Sequence, residues 1–385
     1  MKFDFSNENF FDNHTHLINL DACEVTKEQF LKCFHHGPKY TLNENGAPIP
    51  SKRAYQNLET QGVILSLVKE LSEYYGCEAD LDAVIAERNK RVRGMSNLKE
   101  YVQALYDDQH IVGSVLEAGE PMGDPKTQCI PNKIVRLFRY EDILFPLIKS
   151  EPNYGSALNK LKEAVINAHN EGFMGLKGHI IRRFNYDIKE ISYEQAEKSF
   201  PLAQENDYFA LRDVYCAMFC ELLTLCGELN MAVHIHTGTT GMASITNINT
   251  LDPTLLAPLL QKGKYEKTNI VLLHCAYPFV EKAAIMAFNY PNVYIDTSWT
   301  LPWTSIGYAE TLRTLLSIAP HSHLMLGSGQ HDGCEIAWLA ARVSKKALAA
   351  VMEKLCEEGV INEKQAQKSA EMVLWRNAYT LYNLK

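Results

Sequence analysis

Eight short apolar runs, rich in β-branched residues, alternate along this chain with longer amphipathic stretches. This alternation is typical of successive βα units, in which each strand of a parallel sheet is followed by a helix that packs against it. Eight such units predict an α/β fold, a closed (β/α)8 TIM barrel. The predicted strands are Phe10 to His14, Ile111 to Glu117, Ile134 to Phe138, Phe173 to Lys177, Met231 to His236, Asn269 to His274, Val293 to Asp296 and His323 to Gly327.

The stretches between these runs have the period and the end signals of helices. Ala157 to Glu171 is followed by Gly172, a residue type that commonly ends a helix, and Tyr208 to Leu229 is a long amphipathic stretch before the fifth run. A barrel of this type takes about 250 residues. The chain has 385, so it carries a surplus, most of which lies between the first two runs.

Residues 19–110 hold this surplus, and their patterns are mainly helical. Gly62 to Tyr75 and Leu81 to Arg91 have helical periodicity, whereas Asn43 to Pro50 is rich in Asn, Gly and Pro and resembles a loop. We therefore predict a helical insertion over the barrel mouth. Because no repeat, low-complexity tract or flexible linker divides the chain, we expect residues 1–385 to form a single domain.

The composition is that of an ordinary globular chain, with 46% hydrophobic and 22% charged residues and a net charge of −8. A mildly acidic chain does not favour a nucleic-acid partner. The first residues lack the basic and apolar segments of a signal peptide, and no apolar run reaches the length of a membrane span, so we expect a cytoplasmic protein. The ten cysteines include no Cys-x-x-Cys pair, which favours free thiols over disulfides.

Histidines stand at the ends of three predicted strands. His14 and His16 lie on one face of the first strand, since side chains alternate with period 2, and His236 and His274 end two later runs. In a (β/α)8 barrel all these strand ends, with that of Lys177, open onto one face. They predict a site for a divalent ion, for which we expect Zn²⁺, while Mn²⁺ and Fe²⁺ also suit imidazole. Such a site with an open water position is hydrolytic.

Six longer motifs follow one another along the chain: Asp12-Asn13-His14-Thr15-His16, Gly172-Phe173-Met174-Gly175-Leu176-Lys177, His234-Ile235-His236-Thr237-Gly238, Leu273-His274-Cys275-Ala276-Tyr277-Pro278-Phe279-Val280, Asn292-Val293-Tyr294-Ile295-Asp296-Thr297-Ser298-Trp299 and Arg376-Asn377-Ala378-Tyr379-Thr380-Leu381-Tyr382. In this order they resemble the amidohydrolase superfamily, and within it the branch whose domain is fused to a glutamine synthetase in fungal FluG-type proteins. The resemblance covers most of residues 10–30 and 110–385. We expect this chain to carry no glutamine synthetase domain of its own.

The resemblance implies roles for the strand-end residues. His14 and His16 would be ligands from the first strand and His236 the ligand from the fifth, while His274 would be a ligand or a group that steers substrate and water. Lys177 stands where some members have a carbamylated lysine that bridges two metal ions. For that role its amine must lose its proton, and the alternatives are a cationic substrate contact or a lysine that reaches solvent.

The chain departs from the family pattern after the eighth strand. The family has Gly-Ser-Asp or a close relative there, and its aspartate touches the metal and takes the proton from the attacking water. Here the sequence is Gly327-Ser328-Gly329-Gln330-His331-Asp332, so a glycine stands in the place of the aspartate. Either Asp332 or His331 moves in from the loop, or Asp296 serves as the base, or the ordinary hydrolytic mechanism has been lost.

Few residues indicate the substrate. Arg182 and Arg183 follow the fourth strand and either clamp a substrate carboxylate or stay in solvent, and Trp299 either walls the pocket or packs at the rim. The leading function is a metal-dependent hydrolase that cleaves an amide-like C–N bond of a small, carboxylate-bearing substrate. The alternatives are a metal-dependent nonoxidative decarboxylase and a degenerate barrel that binds a metabolite or partner without turnover. A homo-oligomer is compatible with the sequence.

Overall fold

The barrel is present in a computed structural model, which describes residues 3–18, 23–34, 40–42, 48–50, 57–95, 98–117, 130–239, 248–331 and 333–385. Its main sheet has eight parallel strands, each bonded to the next in chain order, and all lie where the sequence predicts them, so the (β/α)8 fold is confirmed. Two further short strands form a separate antiparallel pair. The strands are β1 (Phe10–Thr15), β2 (Tyr40–Leu42), β3 (Pro48–Pro50), β4 (Ile111–Leu116), β5 (Lys133–Arg139), β6 (Phe173–Gly178), β7 (Ala232–His236), β8 (Ile270–Leu273), β9 (Val293–Asp296) and β10 (Leu324–Met325).

Backbone hydrogen bonds between β1 and the segment after β10 close the barrel. They place the end of β1 directly against the loop that follows β10. Each of the other neighbouring pairs in this sheet consists of strands that follow one another along the chain. From N–H to carbonyl, these bonds join Asn13 to Leu326 at 2.9 Å, Gly329 to His14 at 2.7 Å and His16 to Gln330 at 2.9 Å.

Helices connect the strands on the outside. The helices predicted over 62–75 and 208–229 have the predicted bounds, and a helix begins at Tyr154, earlier than predicted, because the Asn153 side chain caps it by accepting from the N–H of Ser156. No helix in the described ranges is both long and apolar enough to cross a membrane. The helices are α1 (Lys27–Cys33), α2 (Gly62–Tyr75), α3 (Leu81–Val92), α4 (Lys99–Asp108), α5 (Glu141–Ser150), α6 (Tyr154–Asn170), α7 (Tyr193–Gln204), α8 (Tyr208–Leu229), α9 (Ala257–Leu260), α10 (Val280–Asn289), α11 (Leu301–Thr304), α12 (Tyr308–Ile318), α13 (Glu335–Glu357), α14 (Glu363–Glu371) and α15 (Asn377–Leu381).

The described part of the segment between β1 and β4 contains α1 to α4 and the β2–β3 pair, and its role as an insertion over the barrel mouth stays a prediction. The pair differs from the predicted loop, because Pro48–Pro50 aligns with Tyr40–Leu42; residues 43–47 lie outside the described ranges. Two prolines fit such a strand since an isolated pair has an open edge, where a missing N–H breaks no ladder. Helix α2 packs against α11 and α4 against α13. The extent of the single domain stays a prediction.

The interior of the barrel has its own apolar core, which includes the C-terminal segment. Phe11, Val135 and Leu273 point into it, and Ala378 and Tyr382 from the end of the chain join them. The Tyr382 ring stacks on that of Phe11 with centroids 6.4 Å apart. The C-terminal segment thus fills the barrel from the end at which its strands begin.

A buried ion pair joins the insertion to the barrel. Arg88 of α3 donates from Nε to Glu335 Oε1 at 2.6 Å, and both side chains are less than 5% exposed. The hydroxyl of Tyr101 in α4 donates to the same oxygen at 3.1 Å. Because Glu335 is the first residue of α13, α3 and α4 together hold the start of the helix that follows β10.

We expect Arg88→Met to lower the free energy of unfolding by about 3 to 5 kcal/mol, because it leaves the Glu335 carboxylate buried without its charge partner. The exposed pair of Arg93 with Glu24 offers a matched control, and Arg93→Met should cost at most about 1 kcal/mol. Thermal and urea unfolding of the two variants measure the difference. Equal stability of both variants would contradict a structural role for the buried pair.

Candidate metal centre

The strand ends bring polar side chains together at the mouth of the barrel. His14 and His16, at the end of β1, meet Glu117, which directly follows β4, and one ligand atom of each lies within 4.8 Å of the others. His14 Nε2 is 3.9 Å from Glu117 Oε2. Two imidazoles and a carboxylate suit Zn²⁺ and other divalent transition-metal ions.

His14 has the features of a metal ligand. It is fully buried, and neither ring nitrogen has a hydrogen-bond partner among the residues that the structure describes. A buried polar group without a partner is costly, and a bound ion would use the lone pair of the unprotonated ring nitrogen of His14. His16 donates from Nδ1 to the main-chain oxygen of Glu117 at 3.0 Å, which leaves its Nε2 unprotonated. The residues present therefore fit a divalent ion.

Burial keeps these histidines neutral. Desolvation is the main cause that lowers the pKa of His14 and of His16 far below the usual value for histidine, and the nearby charge of Lys177 lowers both further. Only neutral imidazole can bind a metal ion. The protonation state of the pair is thus the one that ligation requires.

Glu117 is surrounded by cations. Its Oε2 lies 3.2 Å from Nζ of Lys177 in β6, and its Oε1 pairs with Arg139 at the end of β5. Lys177 is fully buried, and desolvation, helped by the charges of Arg139 and Arg182, lowers the pKa of its amine well below the usual value for lysine. A position beside Glu117 suits both roles predicted for Lys177, a bridging ligand and a substrate contact.

His236 and His274 form a second pair with unprotonated nitrogens face to face. His236 donates from Nε2 to the carbonyl of Thr239 at 3.2 Å, and His274 donates from Nδ1 to the carbonyl of Ser298 at 2.8 Å. The remaining nitrogens, His236 Nδ1 and His274 Nε2, are 3.1 Å apart. Two lone pairs at this distance repel each other unless a cation lies between them, and two nitrogen ligands of one ion, each about 2 Å from it, are separated by about 3 Å.

The first pair adjoins the second, because the ring centroids of His14 and His274 are 5.4 Å apart. Desolvation also lowers the pKa of His236 and of His274 far below the usual value, so both are neutral. The four histidines predicted as ligands thus lie together, in the form that binds metal.

Asp296, one of the predicted bases, lies behind this site. It is fully buried, and it accepts hydrogen bonds from the Ser298 hydroxyl and from Asn13 Nδ2, the latter at 3.1 Å. Burial raises the pKa of Asp296 to about 6. The Ser298 hydroxyl also accepts from His274 Nδ1 at 3.0 Å, so Asp296 reaches the site through Ser298.

Trp299 occupies the space beside Gly329. Both residues have left-handed backbones, with φ of +62° and +60°, and a Cβ on Gly329 would lie 2.6 Å from the Cβ of Trp299. The backbone N–H of Trp299 donates to the carbonyl of Ser328 at 3.2 Å, which holds it there. Gly329 is therefore required by packing, and a side chain at the family's aspartate position has no room in this chain.

His331, a second predicted base, stacks on His16, with ring centroids 3.8 Å apart and planes 16° apart. It faces Trp299 across a centroid distance of 6.0 Å. Asp332, the third predicted base, lies outside the described residues. The described part of the loop after β10 thus brings the His331 imidazole to the mouth of the site.

A cavity of about 400 Å³ opens above these residues. The residues predicted from the sequence that line it are His16, Lys177, Arg182, His236, His274, Trp299 and His331. Arg183 instead places its guanidinium over the Phe145 ring, 4.1 Å from the centroid. The cavity wall therefore carries most of the predicted ligands, two of the three residues considered as substrate contacts, Arg182 and Trp299, and one predicted base, His331.

Three polar lining residues were not predicted as site residues: Glu117, Arg139 and His179. Glu117 and Arg139 are the first polar residues after two predicted strand cores, and His179 follows Lys177 by two positions. His179 lies 3.4 Å from Lys177 Nζ, and its main-chain N–H donates to Glu141 at 2.8 Å. A sequence search that considers every polar residue at or just after a strand end as a candidate site residue would include all three.

A parallel barrel with imidazole and carboxylate side chains together at its carboxyl face is the arrangement of metal-dependent TIM-barrel enzymes. A sequence model described as amidohydrolase matches residues 192–384, half of the chain, and the chain belongs to the amidohydrolase family. Members of this family depend on metal ions. Protein fluG of Emericella nidulans is 33% identical over 158 residues, which are 40% of this chain and 18% of that protein.

Solved structures share the fold over the whole length. A protein of Lactobacillus casei assigned as a metal-dependent hydrolase superimposes with a TM-score of 0.79 at 17% identity, covering 99% of this chain and 97% of the other. A uronate isomerase from Thermotoga maritima gives 0.68 at 14% identity, with 98% and 95% covered. Hydrolases and isomerases thus both use this architecture.

Substitution of Gly329 should destabilise the protein beyond the cost of its left-handed backbone. Gly76 is the matched control, since its φ is +71° and no atom lies within 4 Å of a Cβ placed there. We expect Gly76→Ala to cost about 1 to 2 kcal/mol and Gly329→Ala to cost more, because its Cβ meets Trp299. Thermal unfolding of both variants measures this, and equal melting temperatures would contradict the packing constraint.

Proposed function

We propose that this protein is a metal-dependent hydrolase that cleaves an amide-like C–N bond of a small, carboxylate-bearing molecule. The observation that carries the proposal is the meeting of His14, His16 and Glu117 at the barrel mouth, with both nitrogens of His14 lacking partners among the described residues. An inert barrel has no physical need for buried imidazoles in this state.

The ligand set we propose is His14, His16 and Glu117, completed by His236 and His274. A divalent ion held there, for which Zn²⁺ is our first choice, would polarise a carbonyl group and lower the pKa of a water molecule. Burial supplies the neutral imidazoles that this binding requires.

The substrate carboxylate is bound by the cations of the cavity. Arg139, Lys177 and Arg182 all line it, and Glu117 is the one carboxylate among the described lining residues. This excess of positive charge favours an anionic ligand, and a guanidinium can hold a carboxylate through two parallel hydrogen bonds. Trp299 also lines the cavity, with its ring next to those of His236 and His274, and offers the substrate an apolar surface.

Proton transfer falls to the loop after β10, because Gly329 can carry no base. His331 lines the cavity beside His16, and we assign it the proton acceptor role, with Asp332 as the neighbouring alternative. Asp296 then orients His274 through Ser298 and does not itself meet the water.

Elemental analysis of protein purified without chelator or added metal should find about one equivalent of a divalent ion if the four histidines share it, and two if each pair holds its own. His14→Ala should lose metal, because it removes a buried ligand. The control is His169→Ala, which removes a histidine from the last turn of α6. A wild-type protein that stays empty even after incubation with Zn²⁺, Mn²⁺ or Fe²⁺ would contradict the proposal.

A screen of amides of small carboxylic acids, with ammonia or amine release as the readout, should identify a substrate. On that substrate, we expect His331→Ala to lower kcat by about 10² to 10⁴-fold, the usual value of general-base catalysis, while metal content is unchanged. Asp332→Ala is measured beside it. Turnover of both variants equal to that of the wild type would rule out a base from this loop.

A second candidate is nonoxidative decarboxylation. It is favoured by the cations around Glu117, which would hold a substrate carboxylate, and by Gly329, since C–C cleavage needs no base to activate a water. Release of carbon dioxide without ammonia would select this reaction over hydrolysis.

A further inference from the structure

A chain of buried hydrogen bonds runs from the C-terminal segment through the barrel to His274. Tyr382, which follows α15, donates from its hydroxyl to Asn13 Oδ1 at 2.9 Å, and Asn13 Nδ2 donates to Asp296 Oδ2 at 3.1 Å. Asp296 in turn accepts from the Ser298 hydroxyl, which accepts from His274 Nδ1 at 3.0 Å. Every one of these side chains is at most 2% exposed.

The direction of each bond in this chain is determined by its end groups. The Ser298 carbonyl can only accept, so His274 Nδ1 carries the proton, and the Ser298 hydroxyl proton is then directed at Asp296. On the other side, an amide that donates to Asp296 must present its oxygen to Tyr382. The Tyr382 hydroxyl is the group that donates to this oxygen. It has only one proton, so it accepts from Nε2 of His234, which lies 3.0 Å from the phenol oxygen.

Removal of the phenol hydroxyl has a defined consequence. Asn13 Oδ1 would lose its donor, and a turned amide would place an oxygen against the Asp296 carboxylate in place of an N–H. Repulsion between this oxygen and Asp296 would disturb the bond that Asp296 accepts from the Ser298 hydroxyl. His274 Nδ1 would keep the Ser298 carbonyl as an acceptor but lose the fixed hydroxyl as its second one. Partners that orient a metal-binding histidine affect metal affinity without touching the metal.

We propose that Tyr382 is a positioning residue for the metal centre, supplied by the C-terminal segment from the closed end of the barrel and acting on His274 through Asn13, Asp296 and Ser298. The inference rests on the proposed metal-binding role of His274. It gives the C-terminal segment a part in the site in addition to its apolar packing on Phe11.

Tyr382→Phe and Tyr379→Phe make a matched pair of variants. Each removes one phenol hydroxyl from the same end of the chain, and both rings pack on Phe11. The first readout is the Zn²⁺ dissociation constant, measured by competition with a chromophoric chelator. We expect Tyr382→Phe to raise it about 10-fold or more, whereas Tyr379→Phe should stay within about twofold of wild type, with similar melting temperatures of the metal-free proteins.

A double-variant cycle tests the route. If Tyr382 acts through Ser298, then Tyr382→Phe should weaken Zn²⁺ binding much less in a Ser298→Ala background than in the wild type. Fully additive effects would overturn the route, and equal Zn²⁺ affinities of Tyr382→Phe and Tyr379→Phe would overturn the proposal.

A metal-independent readout separates this inference from the proposed function. A buried, bonded imidazole N–H gives a slowly exchanging proton resonance, which His274→Gln identifies in the metal-free protein. We expect Tyr382→Phe to broaden or shift this resonance and Tyr379→Phe to leave it unchanged. If the wild type takes up no metal while the resonance still responds, the proposed function fails and the positioning role stands; an unaltered resonance overturns the positioning role.

Discussion

Closure of the barrel is the constraint on which the site depends. The backbone bonds of Asn13, His14 and His16 to the segment 326–330 join parts of the chain that are more than 300 residues apart, and they set the His-x-His pair against the loop that carries His331. The buried Asp12 side chain strengthens the same seam, because it accepts from both the N–H and the hydroxyl of Ser328. The carboxyl ends of all eight strands surround one site only when this seam is closed.

Desolvation at that face then sets the chemistry. Imidazoles, a lysine and an arginine crowd around one carboxylate; burial favours the neutral forms of the histidines and lowers the pKa of Lys177 below its usual value. The same conditions make the site receptive to a divalent ion and to an anion. Trp299 lies at the edge of this region beside Gly329, and its left-handed backbone is strained for a residue with a side chain, as is common at functional sites.

Two peripheral parts of the chain support the barrel from opposite sides. The insertion holds the start of α13 through Arg88 and Tyr101, and so fixes the end of the loop that leads from β10 to α13. The C-terminal segment fills the other end of the barrel and reaches the polar layer beneath the site through Tyr382. The site is thus held between two elements that contribute no predicted ligand.

Much of this was predictable from the sequence, because the period of apolar residues and the residue types at strand ends are local properties. All eight strands, the helices near 62–75, 81–91, 157–171 and 208–229, and the four histidines followed from them, whereas the missing aspartate after the eighth strand was inferred from the family resemblance. Which side chains meet across strands was not local: Glu117 beside His14, Arg139 on Glu117, and Trp299 in the space next to Gly329 depend on register and on loop paths. The sequence by itself determined the barrel and the chemistry available at its mouth, whereas only the tertiary structure decided which atoms face each other, since hydrogen bonds and ligand distances depend on positions in space that residues far apart in the chain share.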